Sequence, residues 1–143
     1  MKKEVFKFEK YFEKSGIDDK EQLDYFGNID DDTIDNDNFR KEIYTGTNMQ
    51  ITLMSLKPGE EIGEEVHEEG DQFFRIEQGS GILIIDGEEK EFKTNFGFTV
   101  TAGKNHNVIN NGEEILKLYS IYAPPEHPKG TLHKTKDDDE HEH

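Results

Sequence analysis

From Phe39 to Ala123 the chain is a train of short runs rich in Ile, Val, Leu, Phe, Tyr and Thr, broken every few residues by Gly, Asn or Asp. Side chains of the first kind fit a pleated, half-buried surface, and the small residues between them supply turns. The pattern predicts strands near 40–45, 50–57, 62–67, 72–78, 81–86, 88–93, 96–101, 106–110 and 116–123. Asp86-Gly87, between Gly-Ile-Leu-Ile-Ile and Glu-Lys-Glu-Phe-Lys, predicts a two-residue type I′ hairpin. So many short strands with almost no helix among them predict an all-β sandwich or closed barrel.

At 143 residues the chain suits one domain with a core of its own. Three stretches follow from the pattern: an N-terminal extension and acidic linker at 1–38, the barrel at 39–125, and a C-terminal extension at 126–143. Val5, Phe6, Phe8, Tyr11, Phe12, Leu23, Tyr25 and Phe26 have roughly helical spacing, and Asp18 with Glu21 resembles a helix start. Residues 1–27 are therefore expected to form one or two short helices. The acidic run 28–38 is expected to be a solvated loop, since no register in it supplies the ligand offsets of a calcium-binding EF-hand. Pro124-Pro125 should stop the last strand. Beyond it, 126–133 reads as an extended segment lying across the barrel, and 137–143 reads as disordered, its His-Glu-His unable to preorganise a metal.

Charge and composition narrow the function classes. A net charge of −16 argues against nucleic acid and anionic membranes as partners. The absence of cysteine excludes disulfides, thiolate metal sites and cysteine nucleophiles. No signal-peptide stretch or membrane-length window is seen, so a cytoplasmic location is expected. The last strand is apolar on both faces, with Leu116 and Leu118 on one and Ile115, Tyr119 and Ile121 on the other. One face suits the core, and the other suits a homodimer partner or the N-terminal helices.

Strand alternation points to a site. Glu65 and His67 lie two apart and share a face. Gln72 shares its face with Phe74 and Ile76, so it should point inward. His106 begins the strand that follows the Gly103 turn, on the face of Val108 and Asn110. An ionised Glu in an apolar interior demands a compensating charge. Glu65, His67, Gln72 and His106 are therefore candidate ligands of one divalent metal, and two histidines with one carboxylate suit iron, manganese, nickel or zinc. Phe74, Ile76 and Val108 share the inward parity and are candidates for the wall of a substrate pocket. Each residue alone has an ordinary reading: His67 as a strand histidine, Gln72 as a partner of a loop carbonyl, the apolar three as core. Glu64, beside Glu65, competes for the inward position.

These residues resemble the two motifs of the cupins. Gly59, Glu65, His67, Gln72 and Gly79 have the spacing of the first, and Asn95, Thr101, Gly103, His106 and Asn110 that of the second. Glu65 stands where the motif has His, Gln72 where it has Glu, Asn95 where it has Gly and Thr101 where it has Pro. The resemblance covers about residues 39–125 and implies a double-stranded β-helix, or jelly-roll barrel, here with a short N-terminal helical extension. Ile-Gly-Glu-Glu-Val-His, Asp-Gln-Phe-Phe-Arg-Ile-Glu and Tyr-Ala-Pro-Pro-Glu-His-Pro are similar to a bacterial single-domain subgroup described as mannose-6-phosphate-isomerase-like. That implies a metal-dependent enzyme acting on a sugar-like, polyhydroxy or carbonyl small molecule. Unligated Glu65, His127 or His133 would serve as its base, and Tyr122 with His127 and His133 would serve as a lid. Arg75, facing away from Gln72, argues against a phosphorylated substrate. A non-heme-iron dioxygenase and a non-catalytic metal or small-ligand binding module are the alternatives.

Overall fold

The computed structural model describes residues 23–141. Most of the stretch expected to form N-terminal helices lies outside that range, and residues 23–27 are not helical. The strands are β1 Arg40–Thr45, β2 Gln50–Leu56, β3 Glu65–Val66, β4 Asp71–Gln78, β5 Ser80–Ile85, β6 Glu88–Lys93, β7 Gly97–Val100, β8 Asn105–Ile109, β9 Leu116–Ala123 and β10 Leu132–His133. They pair antiparallel in two sheets, ordered β10-β1-β2-β9-β4-β7 and β3-β8-β5-β6. Long-range pairings, β2 and β4 with β9 and β5 with β8, wrap the chain into a jelly roll. The strand expected at 62–67 is shorter, with only Glu65–Val66 in the ladder and a single bridge from Glu61 to Ile109.

The turns behave as their residues require. Asp86 and Gly87 have φ of 47° and 84°, both positive as a type I′ turn demands, and join Ile85 directly to Glu88. Asn95 takes φ of 77°, a left-handed conformation that Asn tolerates better than most residues.

Alternation sorts the interior. On β4, Gln72, Phe74 and Ile76 are buried, and on β8 His106 and Val108 are buried. Phe74, Ile76 and Val108, together with Met54, Leu116 and Leu118, form a dry core between the sheets. The larger sheet is divided along its strands. One cross-strand row of inward residues reads Gln50–Tyr122–Gln72, the next Thr52–Ser120–Phe74, and the next Met54–Leu118–Ile76. The barrel therefore has a polar end and an apolar end.

Two acidic segments are corrected by the structure. The run 28–38 is not a loop: Ile29–Asp35 is a helix, α1, capped by the Asn28 side chain accepting from Asp31 N at 3.0 Å. Asp30, Asp31 and Asp32 occupy its first turn, where the helix dipole favours negative charge. α1 packs on β9, β4 and β2, burying Thr33, and Lys117 from β9 reaches Asn36 O and Asp37 Oδ1 beside it. Part of the outer face of β9 is thus covered from within the chain. At the other end, 137–141 is ordered rather than disordered. Lys136–His141 forms α2, whose Asp139 is buried against Arg40. Between barrel and α2 the chain is tied down by Gln50, which bonds the backbone of Glu126 and His127, and by β10 on the edge of β1.

Candidate metal centre

The pairing of β3 with β8 sets Glu65 directly opposite His106, and His67 follows two residues on. The three side chains converge: ligand atoms of Glu65, His67 and His106 all lie within 4.8 Å of one another. His67 Nε2 is 3.3 Å and His106 Nε2 3.9 Å from Glu65 Oε1. Donors gathered round a first-row cation at about 2.1 Å sit roughly 3–4 Å apart, so the spacing suits one ion. Glu64 is exposed, so the inward carboxylate is Glu65.

Each imidazole is held by its other nitrogen. His106 Nδ1 is 3.3 Å from Lys104 O, and since a carbonyl only accepts, the proton is on Nδ1 and the Nε2 lone pair faces the cluster. His67 Nδ1 is 3.4 Å from Glu126 Oε1 at the rim, which orients that ring in the same way. Gln72, on the neighbouring sheet, donates from Nε2 to Ser120 Oγ at 2.7 Å, which leaves its Oε1 as an acceptor. Glu65 Oε1, His67 Nε2, His106 Nε2 and Gln72 Oε1 are all buried atoms without a hydrogen-bond partner among the described residues. With both imidazoles neutral, four buried acceptors face one another, which is costly in an interior and becomes favourable around a cation.

The titration of the cluster agrees. Burial alone would raise Glu65, but His67, Arg40 and His106 outweigh it and hold its carboxyl below the ordinary range. Glu65 in turn raises His67 against the effect of burial. Burial lowers His106, which favours the neutral, ligating form.

Around the cluster, the Phe74 ring stands edge-on to His106 at 6.2 Å, so this core residue borders the site. Ile76 and Val108 are fully enclosed in the core. Tyr122 is buried and edge-on to His67 at 5.7 Å, with its hydroxyl 3.3 Å from His127 Nε2. Burial first, then Arg40, pushes His127 down to about 4. His133 lies apart from the cluster's ligand atoms, against Arg40 and Asp139. Arg40 itself has no exposed surface, and sequence reasoning passed over it. A charged residue opening a strand carries no sign of burial; only the partners Asp139 and His133, more than ninety positions away, make its place intelligible.

The comparisons with known proteins follow the same lines. The family described as Cupin domain matches residues 52–122. The chain is 52% identical over 118 residues to the uncharacterized protein YrkC of Bacillus subtilis, a match covering 78% of this chain and 63% of that protein. It is 38% identical over 113 residues to an uncharacterized protein of Acanthamoeba polyphaga mimivirus, covering 76% of this chain and 70% of that one. A crystal structure from Bacillus halodurans superposes with a TM-score of 0.81 at 42% identity, covering 83% of this chain and 95% of the other. Strand topology, motif spacing and these relatives agree: the chain belongs to the cupin family.

Proposed function

We propose that Glu65, His67, His106 and Gln72 hold one divalent metal ion, and that the protein is a metal-dependent enzyme acting on a small hydroxy- or oxo-compound, by an isomerase-like proton transfer. The observation that carries this reading is the set of four buried acceptor atoms, one from each of these residues, without partners among the described residues. When bound, the metal would act as a Lewis acid on a carbonyl or hydroxyl oxygen. The chain would supply the rest. His67 and His106 are fixed by their Nδ1 contacts, and Gln72 by Ser120. Tyr122 and His127 stand next to His67 as a hydroxyl–imidazole pair. His127 is unprotonated at neutral pH, so its Nε2 can accept the Tyr122 O–H and fix that hydroxyl beside His67. The core on the apolar side keeps water from that end of the site.

The test begins with metal content of the purified protein beside Glu65→Ala, His67→Ala. The reading predicts near-stoichiometric metal in the first and little in the second. Metal-loaded protein is then incubated in deuterated water with a panel of small hydroxycarbonyl compounds and followed by NMR. Exchange of the carbon-bound proton that depends on metal and on His127 supports the isomerase reading. Exchange unaffected by His127→Gln removes it.

The ligand set favours a second reading. Two histidines and one carboxylate with open positions are the arrangement of non-heme iron oxygenases. Oxygen uptake by the ferrous protein above that of free iron, with no proton exchange, would select it.

A further inference from the structure

We propose that Arg40 is an anion anchor inside the barrel, binding the carboxylate of a small carboxylic acid whose far end reaches the Glu65–His67–His106 cluster. The far-end contact rests on the metal reading; the anchor does not.

The Arg40 side chain is wholly buried, yet only one of its three nitrogens is used. Nη1 bonds Asp139 and lies 3.3 Å from His133 Nδ1. Nε and Nη2 have no acceptor among the described residues. Those two atoms form one edge of the planar guanidinium, with parallel N–H bonds that fit the two oxygens of a carboxylate. Glu42, the nearest acid along β1 on the same face, is already engaged by Thr45 Oγ1 and Gly130 N.

The position is right as well. Arg40 pairs with Met54 on β2, next along the inward face to Thr52, at the border of the polar end. Thr52 is fully buried and its Oγ1 has no partner among the described residues, one inward position along from the Arg40–Met54 pair. Thr52 shares its cross-strand row with Ser120, which holds Gln72, and with Phe74, which stands edge-on to His106, so the inward face beside Arg40 runs to the cluster.

Charge selects the ligand. With a divalent cation in place, the buried set of cation, Glu65, Arg40 and Asp139 keeps one surplus positive charge; Glu126 stays at the rim, with its side chain 45% exposed. A monocarboxylate cancels that surplus. A phosphate dianion would overshoot it beside two acids. The preferred ligand is therefore a short acid with a hydroxyl or oxo oxygen placed to face the metal.

The test uses the full chain, metal-free and zinc-loaded, with lactate, glycolate and pyruvate as probes and lactamide as the uncharged match. The chain has two arginines, so its guanidinium N–H spectrum reports Arg40 beside Arg75 as an internal control on the other side of the sheet. Expected is a shift of the Arg40 Nε–H signal with at least one carboxylate and none with lactamide, Arg75 staying still. Calorimetry should show that carboxylate binding loses at least tenfold in Arg40→Lys while lactamide binding does not change. Should Arg40→Lys not fold, the wild-type spectrum decides. No Arg40 shift with any of the three acids up to tens of millimolar, or equal shifts with lactamide, overturns the proposal. Zinc failing to bind while lactate still moves Arg40 sinks the metal reading and leaves the anchor standing. Zinc binding with Arg40 silent does the reverse.

Discussion

Asp139→Ala tests whether the acidic C-terminal helix is part of the fold. The carboxylate is 5% exposed and bonds a guanidinium with no exposure at all. Burial pushes Asp139 up, but Arg40 outweighs it and holds the group below its ordinary value, so it is ionised at neutral pH. Removing one member of a buried pair costs about 3–5 kcal/mol, because the other charge is left without compensation. Glu65 remains close enough to offset part of that, so about 3 kcal/mol is expected. A chain of 143 residues unfolds with an entropy of about 0.3 kcal/mol/K, so the midpoint should fall by about 10 °C. Urea and thermal melts of the full chain would measure it, with the exposed Glu140→Ala as a control expected to stay within about 0.5 kcal/mol. The double variant Arg40→Met, Asp139→Leu should recover much of the loss, since apolar groups of similar size need no partner. A loss below about 1 kcal/mol for Asp139→Ala would show that α2 contributes nothing to stability and that the reasoning is wrong.

Metal uptake should release protons, because His67 is raised by Glu65 and must be neutral to ligate; affinity should therefore fall as pH drops through the raised His67 value, as calorimetry in buffers of different ionisation enthalpy would show. His127 titrates at about 4 in the fold against an ordinary 6.5, so the unfolded chain binds the extra proton and stability climbs as pH rises from about 4 to about 6.5, then levels. Allowing for the partial solvent contact of this side chain, the contribution is about 1.5 kcal/mol, and His127→Asn should flatten that limb of the stability–pH curve. Gly81→Ala would place a Cβ 2.4 Å from Ile109 O and 2.7 Å from Phe92 Cζ, inside the β5–β8 ladder, and should cost about 3 kcal/mol or abolish folding, read as loss of soluble protein or of the native urea midpoint.

The barrel was legible because its rules are local. β-branched and aromatic runs, Asp86-Gly87 and Asn95 each specify their own backbone, and nearly every expected strand formed within a residue or two of its place. The ligands were legible because a period of two assigns sides without knowledge of the rest, so Glu65, His67, Gln72 and His106 could be aimed inward before any fold was known. The two acidic helices were not. Asn28, Asp30, Asp31 and Asp32 are poor helix interiors but good helix beginnings, and what tips the balance is the packing of α1 on β9, where Thr33 is buried and Lys117 reaches Asn36 O from 81 positions away. Asp139 likewise looks like tail until Arg40 is known to lie behind it. Arg40 was hidden for the same reason, since its burial depends on β10 and α2 together.

The placement of the acid connects the metal site to the proposed anchor. The motif has its carboxylate at position 72, where this chain has Gln72, 3% exposed and held by Ser120. The negative charge stands instead at Glu65, whose side chain is 22% exposed and lies beside both histidines. An ion at the rim keeps part of its hydration, whereas one at position 72 would be nearly dry. Moving the charge outward also leaves the inward face of β4, with Gln72, Phe74 and Ile76, without an acid. A second inward acid would draw on the same guanidinium edge that a carboxylate ligand needs. Gln72→Glu should therefore tighten divalent metal while weakening lactate relative to lactamide, two opposite changes measured by calorimetry on one variant. If both affinities rise together, the neutral amide is not what keeps Arg40 available, and the link between the two sites is lost.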